Sequence, residues 1–452
     1  MTPSAAVVMR PLLLLVVSLV TLSCASARPP VQPSVADRIL AGTGADARLE
    51  ASAATPGLPP SVDVRDGISS DEAVAVALWN NAAFQVTVSQ LGFARADLVE
   101  AGLLANPVLS LLFPAGPKQL EATWRWPVEL FLQRPRRVAA ARFSLEAAAS
   151  SLVQSGLDLA LSTRLAHADL ALALDRQRLV VETAAAVQRI DTLTQSRLAA
   201  GDIGALDARV VHVDAARSGQ DAERAVHDVR LARERLRLLT GLAADDAALD
   251  VVQPSPEPNR CGSAPELMTR ALAARPDLRA AELAVEAAGA RLGWERSRVL
   301  ALTAVLDANG AGPVNDFEIG SGIDIGLPIF NRNQGGRLRA HADLQRASAA
   351  YVALQQQVGL DVREASTLFD QARQSREAWR TTLVTPLEAN LADAEDSYRA
   401  GESSFLFVLE NRRRLIEARL REREIAADEL RALARVERAM GTPCTGVSGG
   451  TQ

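Results

Sequence analysis

The chain has 452 residues, of which 48% are apolar, 23% are charged and only 4% are aromatic. A formal net charge of −5 is small for this length and gives no indication of nucleic-acid binding. Abundant alanine, leucine and valine with few aromatics favour long helices packed closely side by side. No run of eighteen uncharged apolar residues follows the N-terminus, which argues against transmembrane helices in the rest of the chain.

Residues 1–23 are typical of an export signal. Arg10 precedes an apolar run from Leu12 to Val20, as in secretory signal peptides. Two cleavage sites remain open. Ser-Cys at the end of the run is similar to the end of a bacterial lipobox and would make Cys24 a lipidated N-terminus, whereas residues 25–27 (Ala-Ser-Ala) form an ordinary A-x-A site. We favour lipidation at Cys24.

The next segment, residues 24–68, is rich in Pro, Ala, Ser and Gly and is predicted to be an extended leader. Ser69 and Glu72 then have the spacing of a capping box ahead of an apolar run, which predicts that a helix begins there. The helical pattern continues to about Leu104, and the Asn-Pro pair at 106–107 should end it.

A first β-hairpin is predicted at about residues 106–131. A short apolar strand from Val108 to Phe113 is followed by a Pro-Ala-Gly-Pro turn and a longer strand from Leu120 to Leu130. In that strand apolar and polar residues alternate, so one face is apolar and the other polar. The polar face carries Glu121, Thr123, Arg125 and Glu129.

A second hairpin, at about residues 302–329, has the same design. Its apolar face carries Phe317, Ile319, Ile323, Ile325 and Leu327 together with Ser321, and Glu318 and Asp324 lie on the other face. About ten residues per strand suffice to cross a bilayer at a tilt, and this alternation is typical of membrane barrels. The alternative is a soluble sheet with one buried face, which has the same period.

Each hairpin precedes a long helical hairpin. In the first, helices of about 136–199 and 206–239 are joined by a turn at Gly201-Asp202; in the second, helices of about 336–400 and 405–440 meet at Gly401-Glu402. Pro386 should break or kink its helix.

The two halves therefore predict a tandem repeat, with units at 69–242 and 266–442, a linker at 243–265 and a tail at 443–452. Turn glycines recur about 200 residues apart, as Gly201 with Gly401 and Gly241 with Gly441. The predicted fold is mostly α with a membrane β-barrel portion. Four strands cannot close a barrel, and open edges in lipid are costly, so at least two chains must share one.

Besides Cys24, only Cys261 and Cys444 are cysteines. Two remaining cysteines in an oxidising compartment often pair, so a disulfide is one hypothesis, and two unrelated free thiols are the other.

The sequence predicts no enzyme, no cofactor and no metal site. The histidines are scattered over helices without a second ligand at metal spacing, and no cysteine belongs to a C-x-x-C pair. The histidines are His167, His212, His227 and His341.

Several motifs occur in a specific order: GISSDEAVAVALWNN, ANPVLSL, the AGD and AGE turns, ARPDLRAAELAVEAA and GLPIFNRNQGGRLRAHA. With these the chain resembles TolC-type outer-membrane efflux proteins over essentially its whole mature length. The LPIFNRNQG form is most similar to the CzcC-like branch, which serves heavy-metal efflux.

The resemblance implies a homotrimer in the bacterial outer membrane, with a twelve-stranded β-barrel continued by a twelve-helix periplasmic α-barrel. It implies a periplasmic adaptor and an inner-membrane resistance-nodulation-division (RND) pump as partners, and a passive exit duct for heavy-metal cations as the function. Drugs or secreted polypeptides are alternative cargoes. A periplasmic coiled-coil adaptor or scaffold is an alternative of a different class.

The family closes its tunnel with acidic residues just after the two helical turns. Asp207 and Glu410 match such acids, whereas Phe407 stands where an acid is expected, so a hydrophobic gate of three phenylalanines is an alternative to a charged one. The alternative is that both acids are ordinary solvated helix carboxylates. At the tips, Asp202 and Glu402 are interpreted as caps or as adaptor contacts.

Overall fold

A computed structural model describes residues 31–49, 57–60, 62, 67–113, 120–242, 250–252, 261–299, 301–311 and 316–444. The predicted signal segment, Cys24 and the turn of the first hairpin lie outside the described residues, as do most of the linker and the tail.

The first described element is a helix, α1 (Val31–Thr43), so the prediction of an extended leader over 24–68 is wrong for these residues. Val35 and Ile39 lie one helical turn apart and are both fully buried, packed in one apolar cluster with Leu152. This burial stabilises a helix that the Pro- and Ser-rich composition does not indicate.

The capping box is confirmed at the start of α2 (Ser70–Asn80): Glu72 N–H donates to Ser69 Oγ, and Ser69 N–H donates to Glu72 Oε2. The prediction of one continuous helix to about Leu104 is wrong, because α3 (Ala82–Gly102) begins after a break at Asn81. The Asn81 side chain accepts from Phe84 N–H and donates to the Leu239 carbonyl, so a distant contact fixes the break.

Four antiparallel strands form one sheet in the order β1-β2-β3-β4. They are β1 (Val108–Leu112), β2 (Glu121–Pro127), β3 (Ala301–Ala311) and β4 (Asp316–Gly326). The extension of β2 to Leu130 is wrong, because a helix begins at Glu129. Val128 N–H makes one last bond to the Leu302 carbonyl, and Glu129 Oε2 then accepts from Leu302 N–H.

Long helices follow each pair of strands. The first helical hairpin consists of α4 (Glu129–Ala199) and α5 (Ala205–Thr240). The helix α4 has 71 residues and is about 105 Å long at the usual rise per residue. Two short helices, α6 (Ala264–Ala274) and α7 (Pro276–Ser297), precede β3. After β4 come α8 (Gln334–Trp379), α9 (Thr385–Arg399) and α10 (Phe405–Met440).

A π-helical segment, Arg380–Val384, joins α8 to α9. Pro386 was expected to break or kink the helix, and the structure instead places one wide turn just before it. Thr385 Oγ1 donates to the Arg380 carbonyl within that turn. Because proline has no N–H for the helical ladder, the wide turn lets the helix continue past it.

The helix α4 is the centre of the packing: α1, α2, α3, α5, α7 and α10 all contact it. The helices α8 and α10 pack on each other, and α6 covers their end. The chain is therefore mostly helical with a small antiparallel sheet, as predicted, and the sheet lies at the start of α4 and α8.

Candidate functional site

The sheet register places most large apolar residues of the four strands on one face, whereas Val108, Leu112 and Val305 pair with residues of the other face. Trp124 of β2 is opposite Leu109 of β1 and Leu306 of β3, and Ala304 of β3 is opposite Ile323 of β4. Directly paired residues share a face of an antiparallel sheet. The alternation predicted within single strands thus extends across the whole sheet.

The opposite face carries the polar residues of the same strands. Thr123 pairs with Asp307, Asn309 pairs with both Glu121 and Glu318, and Asp324 pairs with Thr303. Arg125 is the basic residue of this face. The face is therefore polar and predominantly acidic.

Large side chains of the apolar face remain exposed in the single chain. Ile319 is 73% and Ile323 67% exposed, and Leu109 is 62% exposed. A continuous exposed apolar face of this kind indicates a surface made for lipid or for another protein.

Both helical hairpins turn with the same backbone geometry. Gly201 and Gly401 have φ of 80° and 79°, a left-handed conformation that glycine adopts without strain. The next N–H groups, of Asp202 and Glu402, donate back to the carbonyls of Arg197 and Ser397. The N-cap positions of α5 and α10 belong to Gly204 and Ser404, so Asp202 and Glu402 contribute to capping only through their backbone N–H groups, at the ends of the preceding helices.

The predicted gate residues lie in the first turns of α5 and α10. Asp207 is exposed, and Phe407, at the equivalent place three residues after its N-cap, is 54% exposed. Glu410, one turn further along α10, accepts hydrogen bonds from Arg413 at 3.2 Å and from Arg414 at 3.0 Å. The hydrogen bond from Arg413 has the largest effect and lowers the pKa of Glu410; burial opposes it, and the bond from Arg414 adds to the lowering.

Sequence reasoning missed this pair of arginines, although their spacing of three and four residues from Glu410 on one helix was a sufficient signal. A cleft of about 500 Å³ between α4, α5 and α10 is lined by Glu410 and Arg413 but not by Asp207. The two predicted gate acids therefore do not share this cleft within one chain.

A second missed contact ties α4 to α5 near their turn. His212 Nδ1 lies 3.0 Å from Asp191 Oδ2, and Asp191 is only 5% exposed. The hydrogen bond from His212, and then that from Gln195, lower the pKa of Asp191. Both residues lie at similar separations from Gly201, which in retrospect places them opposite each other.

At the other end of the helical hairpins, the Sγ atoms of Cys261 and Cys444 lie at 2.15 Å, and both residues are buried. Cys444 N–H donates to Glu437, which forms an ion pair with Arg164 of α4 at 2.7 Å. Burial raises the pKa of Glu437, although the charge of Arg164 acts against it.

A neighbouring network holds the start of α7 against the long helices. Arg275 is 3% exposed and pairs with Asp277 at 2.6 Å and with Asp361 of α8 at 2.8 Å. Arg438 of α10 joins Asp361 to Asp158 of α4. Burial opposes the ionised form of Asp361, but the hydrogen bonds of Arg275 and Gln357 prevail and lower its pKa.

In the part of the chain that the structure describes, no group of three or more His, Cys, Asp or Glu is suited to a metal ion. His167 is buried with Nε2 at 2.9 Å from the Ile68 carbonyl, and burial lowers its pKa, so it has a packing role. Over the same described residues, every helix is too short or too polar to span a bilayer.

The family model described as "Outer membrane efflux protein" matches residues 267–442, which run from α6 to just beyond α10. Among characterised proteins, the cobalt-zinc-cadmium resistance protein CzcC of Cupriavidus metallidurans is 26% identical over 383 residues. That match covers 83% of this chain and 90% of the relative.

Solved structures share the fold at low identity. A membrane protein from Pseudomonas aeruginosa superposes with a TM-score of 0.67 at 22% identity, covering 86% of this chain and 98% of its own. The outer membrane protein VceC from Vibrio cholerae gives 0.67 at 18%, covering 83% and 97%. CusC, a protein studied for its transmembrane channel formation, gives 0.67 at 18%, covering 88% and 98%.

Three comparisons agree with the resemblance seen in the motifs. They are the CzcC match over most of the chain, the family model on its second half, and the fold shared with solved structures. Proteins of this family are passive channels and not enzymes. Residues 267–442 match the outer membrane efflux protein family, and the chain as a whole shares the fold of VceC and CusC.

Proposed function

We propose that the protein is the outer-membrane channel of a tripartite efflux system, a passive exit duct formed by three copies of the chain. The observation that carries this is the sheet, whose register collects most of the large apolar residues on one exposed face and all of the charged residues on the other. In a barrel, the apolar face meets lipid and the polar face lines a water-filled lumen.

The sheet has two free edges, β1 and β4, since the strand order is β1-β2-β3-β4. An open edge in lipid leaves backbone groups without partners at several kcal/mol each, so β1 of one copy must pair with β4 of the next. Three copies give twelve strands, which exceeds the eight of the smallest membrane barrels. The family's members form trimers, which supports three copies over two.

The helices support the same closure. The helix α5 packs mainly on α4, α4 packs on α10, and α10 packs on α8. Along α5 the exposed residues Leu206, Val210 and Val213 follow the spacing of one helix face. We assign this face to the seam with a neighbouring copy, so that the helical hairpins of three chains form the twelve-helix α-barrel.

For the internal organisation we propose two structural repeats, at 69–242 and 266–442. The order of a helix region, two strands and a long helical hairpin occurs in both halves, and the closing glycines Gly241 and Gly441 have φ of 69° and 76°. The predicted boundaries at 243–265 and 443–452 follow from these units.

As the gate we propose the first turns of α5 and α10, with Phe407, Glu410 and Asp207. Three Phe407 rings from three copies would constrict the duct by excluding water, as hydrophobic gates do. Because Glu410 is paired with two arginines, its charge acts within the chain more than on the lumen. The exposed tip residues Gly201, Asp202, Gly401 and Glu402 are then the contact surface for the periplasmic adaptor, which connects to an RND pump.

For the cargo we propose divalent heavy-metal cations. CzcC of Cupriavidus metallidurans is a cobalt-zinc-cadmium resistance protein, and the polar sheet face carries Glu121, Asp307, Glu318 and Asp324 against Arg125. Such a face favours passage of cations without holding them. Drugs and secreted polypeptides remain the alternative cargoes.

A deletion strain tests the cargo. Loss of resistance to cobalt, zinc or cadmium, with drug resistance and secretion unchanged, is the expected result. Hypersensitivity to drugs alone, or lost secretion alone, would assign the other cargo. Recovery of the protein in the soluble periplasm, in contrast, would reject the channel and favour the adaptor or scaffold.

For targeting we propose export through residues 1–23 and lipidation at Cys24, and for the oxidised protein a Cys261–Cys444 disulfide. The mass of the mature N-terminal peptide distinguishes a diacylglyceryl cysteine at 24 from cleavage after residue 27. A thiol assay on unreduced protein tests the disulfide, since two free thiols would contradict it.

A further inference from the structure

A group of exposed arginines lies directly next to the sheet, at the beginning of the two long helices. The helix α4 begins two residues after β2, and α8 begins shortly after β4. We call these residues the basic belt: Arg134, Arg136, Arg332, Arg337 and Arg339.

The charges of the basic belt are not neutralised by carboxylates. Arg134 donates to the Gly102 carbonyl at 2.8 Å, Arg136 to the Gly293 carbonyl at 3.3 Å and Arg332 to the Pro328 carbonyl at 3.2 Å. Among the described residues no ion pair involves any member of the belt. A guanidinium has five N–H donors, so each arginine keeps its charge and donors to spare.

Few acidic residues lie near the basic belt, and most of them bind other groups. Glu129 accepts from the Leu302 backbone, and Glu295 binds Arg298 and the Asn333 side chain. Glu100, near the end of α3, is exposed. The level of the molecule just below the strands is therefore strongly basic.

Exposed apolar and aromatic side chains lie at the same level. Trp126, at the end of β2, contacts Phe131 edge to face at 5.2 Å, and Arg134 follows Phe131 by one helical turn. Phe330 is 92% and Ile329 62% exposed, and Arg332 comes directly after them. Apolar groups beside unpaired cations suit the boundary between hydrocarbon and headgroups.

We propose that the basic belt binds the phosphate headgroups of anionic phospholipids, in the leaflet that faces the helices. The proposal rests on the proposed function, because it requires the apolar sheet face to lie in a bilayer. An acidic soluble protein fits this surface less well, since it would satisfy the arginines but leave Phe330 and Ile329 in contact with its polar surface.

Tryptophan quenching by brominated lipids in reconstituted vesicles tests the proposal. Trp124 and Trp126 of β2 and Trp294 of α7 lie near the belt and report the lipids around it. Brominated phosphatidylglycerol is compared with brominated phosphatidylethanolamine at the same mole fraction. We expect the anionic lipid to be preferred about fivefold around the wild-type protein.

The test variant is Arg134→Gln/Arg332→Gln, and it should bring the preference close to one. Its matched control is Arg197→Gln/Arg270→Gln, which removes two exposed arginines that form no ion pair with any residue the structure describes. Arg197 lies on α4 near the turn, and Arg270 lies on α6. The control should keep the wild-type preference.

Equal quenching by the two lipids in the wild type would overturn the proposal while leaving the channel in the membrane. An equal loss of preference in the control variant would also overturn it, since general electrostatics would then explain the effect. Absence of quenching by either lipid would reject the membrane position of the sheet, and with it the proposed function.

Discussion

The two long helical hairpins turn through the same glycine geometry but are held together differently. In the first, α4 runs without interruption from Glu129 to Ala199, and the Asp191–His212 contact ties it to α5. In the second, the π segment interrupts the corresponding helix, and Trp379 at its edge donates to the Ala418 carbonyl of α10. Such π turns inside α-helices are frequently found at functional sites.

Phe407 and Glu410 both belong to the second hairpin, whereas the first offers only Asp207 at the equivalent place. We infer that the two helical hairpins have different roles in the duct. The first hairpin has an uninterrupted long helix, whereas the second contains both the proposed constriction residues and the π segment. We therefore expect opening of the duct to depend on the second hairpin.

The largest effect is expected from Cys261→Ser/Cys444→Ser, which frees the end of the second hairpin from α6. A crosslink across a sequence separation of 183 stabilises a fold by up to about 5 kcal/mol in the chain-entropy account. The Tm of the purified variant should therefore fall well below that of the oxidised wild type.

Reduced wild-type protein is the control, and its Tm should match that of the double variant. If reductant leaves the wild-type Tm unchanged, the crosslink does not contribute to stability.

The next largest effect is expected on single-channel conductance, and it should differ between the proposed gate residues of the two helical hairpins. Phe407→Ala removes an exposed ring from each of three copies, so single-channel conductance should rise by roughly threefold or more if the rings exclude water. Asp207→Ala is the matched change in the first hairpin and should have a smaller effect. A larger effect of Asp207→Ala would reverse the comparison.

A smaller effect concerns pH at Glu410. The bonds of Arg413 and Arg414 lower its pKa below the ordinary 4.5. A depressed pKa contributes stability that is present above the unfolded value and is lost as pH falls through the folded value. The Tm difference between the wild type and Glu410→Gln should therefore stay constant from neutral pH to about pH 5 and shrink only below 4.5.

Glu410→Gln lacks the titrating group, so its Tm should lie slightly below that of the wild type at neutral pH and match it once Glu410 is protonated. A wild-type transition centred well above pH 4.5 would indicate that another group titrates.

The smallest effect is expected from Pro386→Ala, which restores a backbone N–H just after the π segment. Regular α-helix then becomes available, so amide hydrogen exchange over Arg380–Val384 should slow by a few-fold. The uninterrupted middle of α4 is the internal reference, and its exchange should not change. Unaltered exchange at the π segment would mean that proline does not cause the wide turn.

Features set by local sequence were predictable. Predicted helix limits of 405–440 agree with α10, because Ser404 supplies the N-cap and Gly441 the left-handed C-cap. The strand faces also follow from alternation alone, and the sheet register confirms them for Trp124 and Ile323.

Features set by distant contacts were not predictable. The break at Asn81 depends on the Leu239 carbonyl, and the end of β2 depends on bonds to Leu302. The helix α1 depends on burial of Val35 and Ile39 against α4. At the candidate gate, the match to the family's acids predicts Glu410. That match gives no information on Arg413 and Arg414, which pair with Glu410 in the structure.

The central claim is that the free edges β1 and β4 close between three copies of the chain. Native mass spectrometry of the wild-type protein released from detergent tests it most directly. We predict a single dominant species with the mass of three mature chains. A dominant monomer or dimer, under conditions in which the helices remain folded, would contradict the claim.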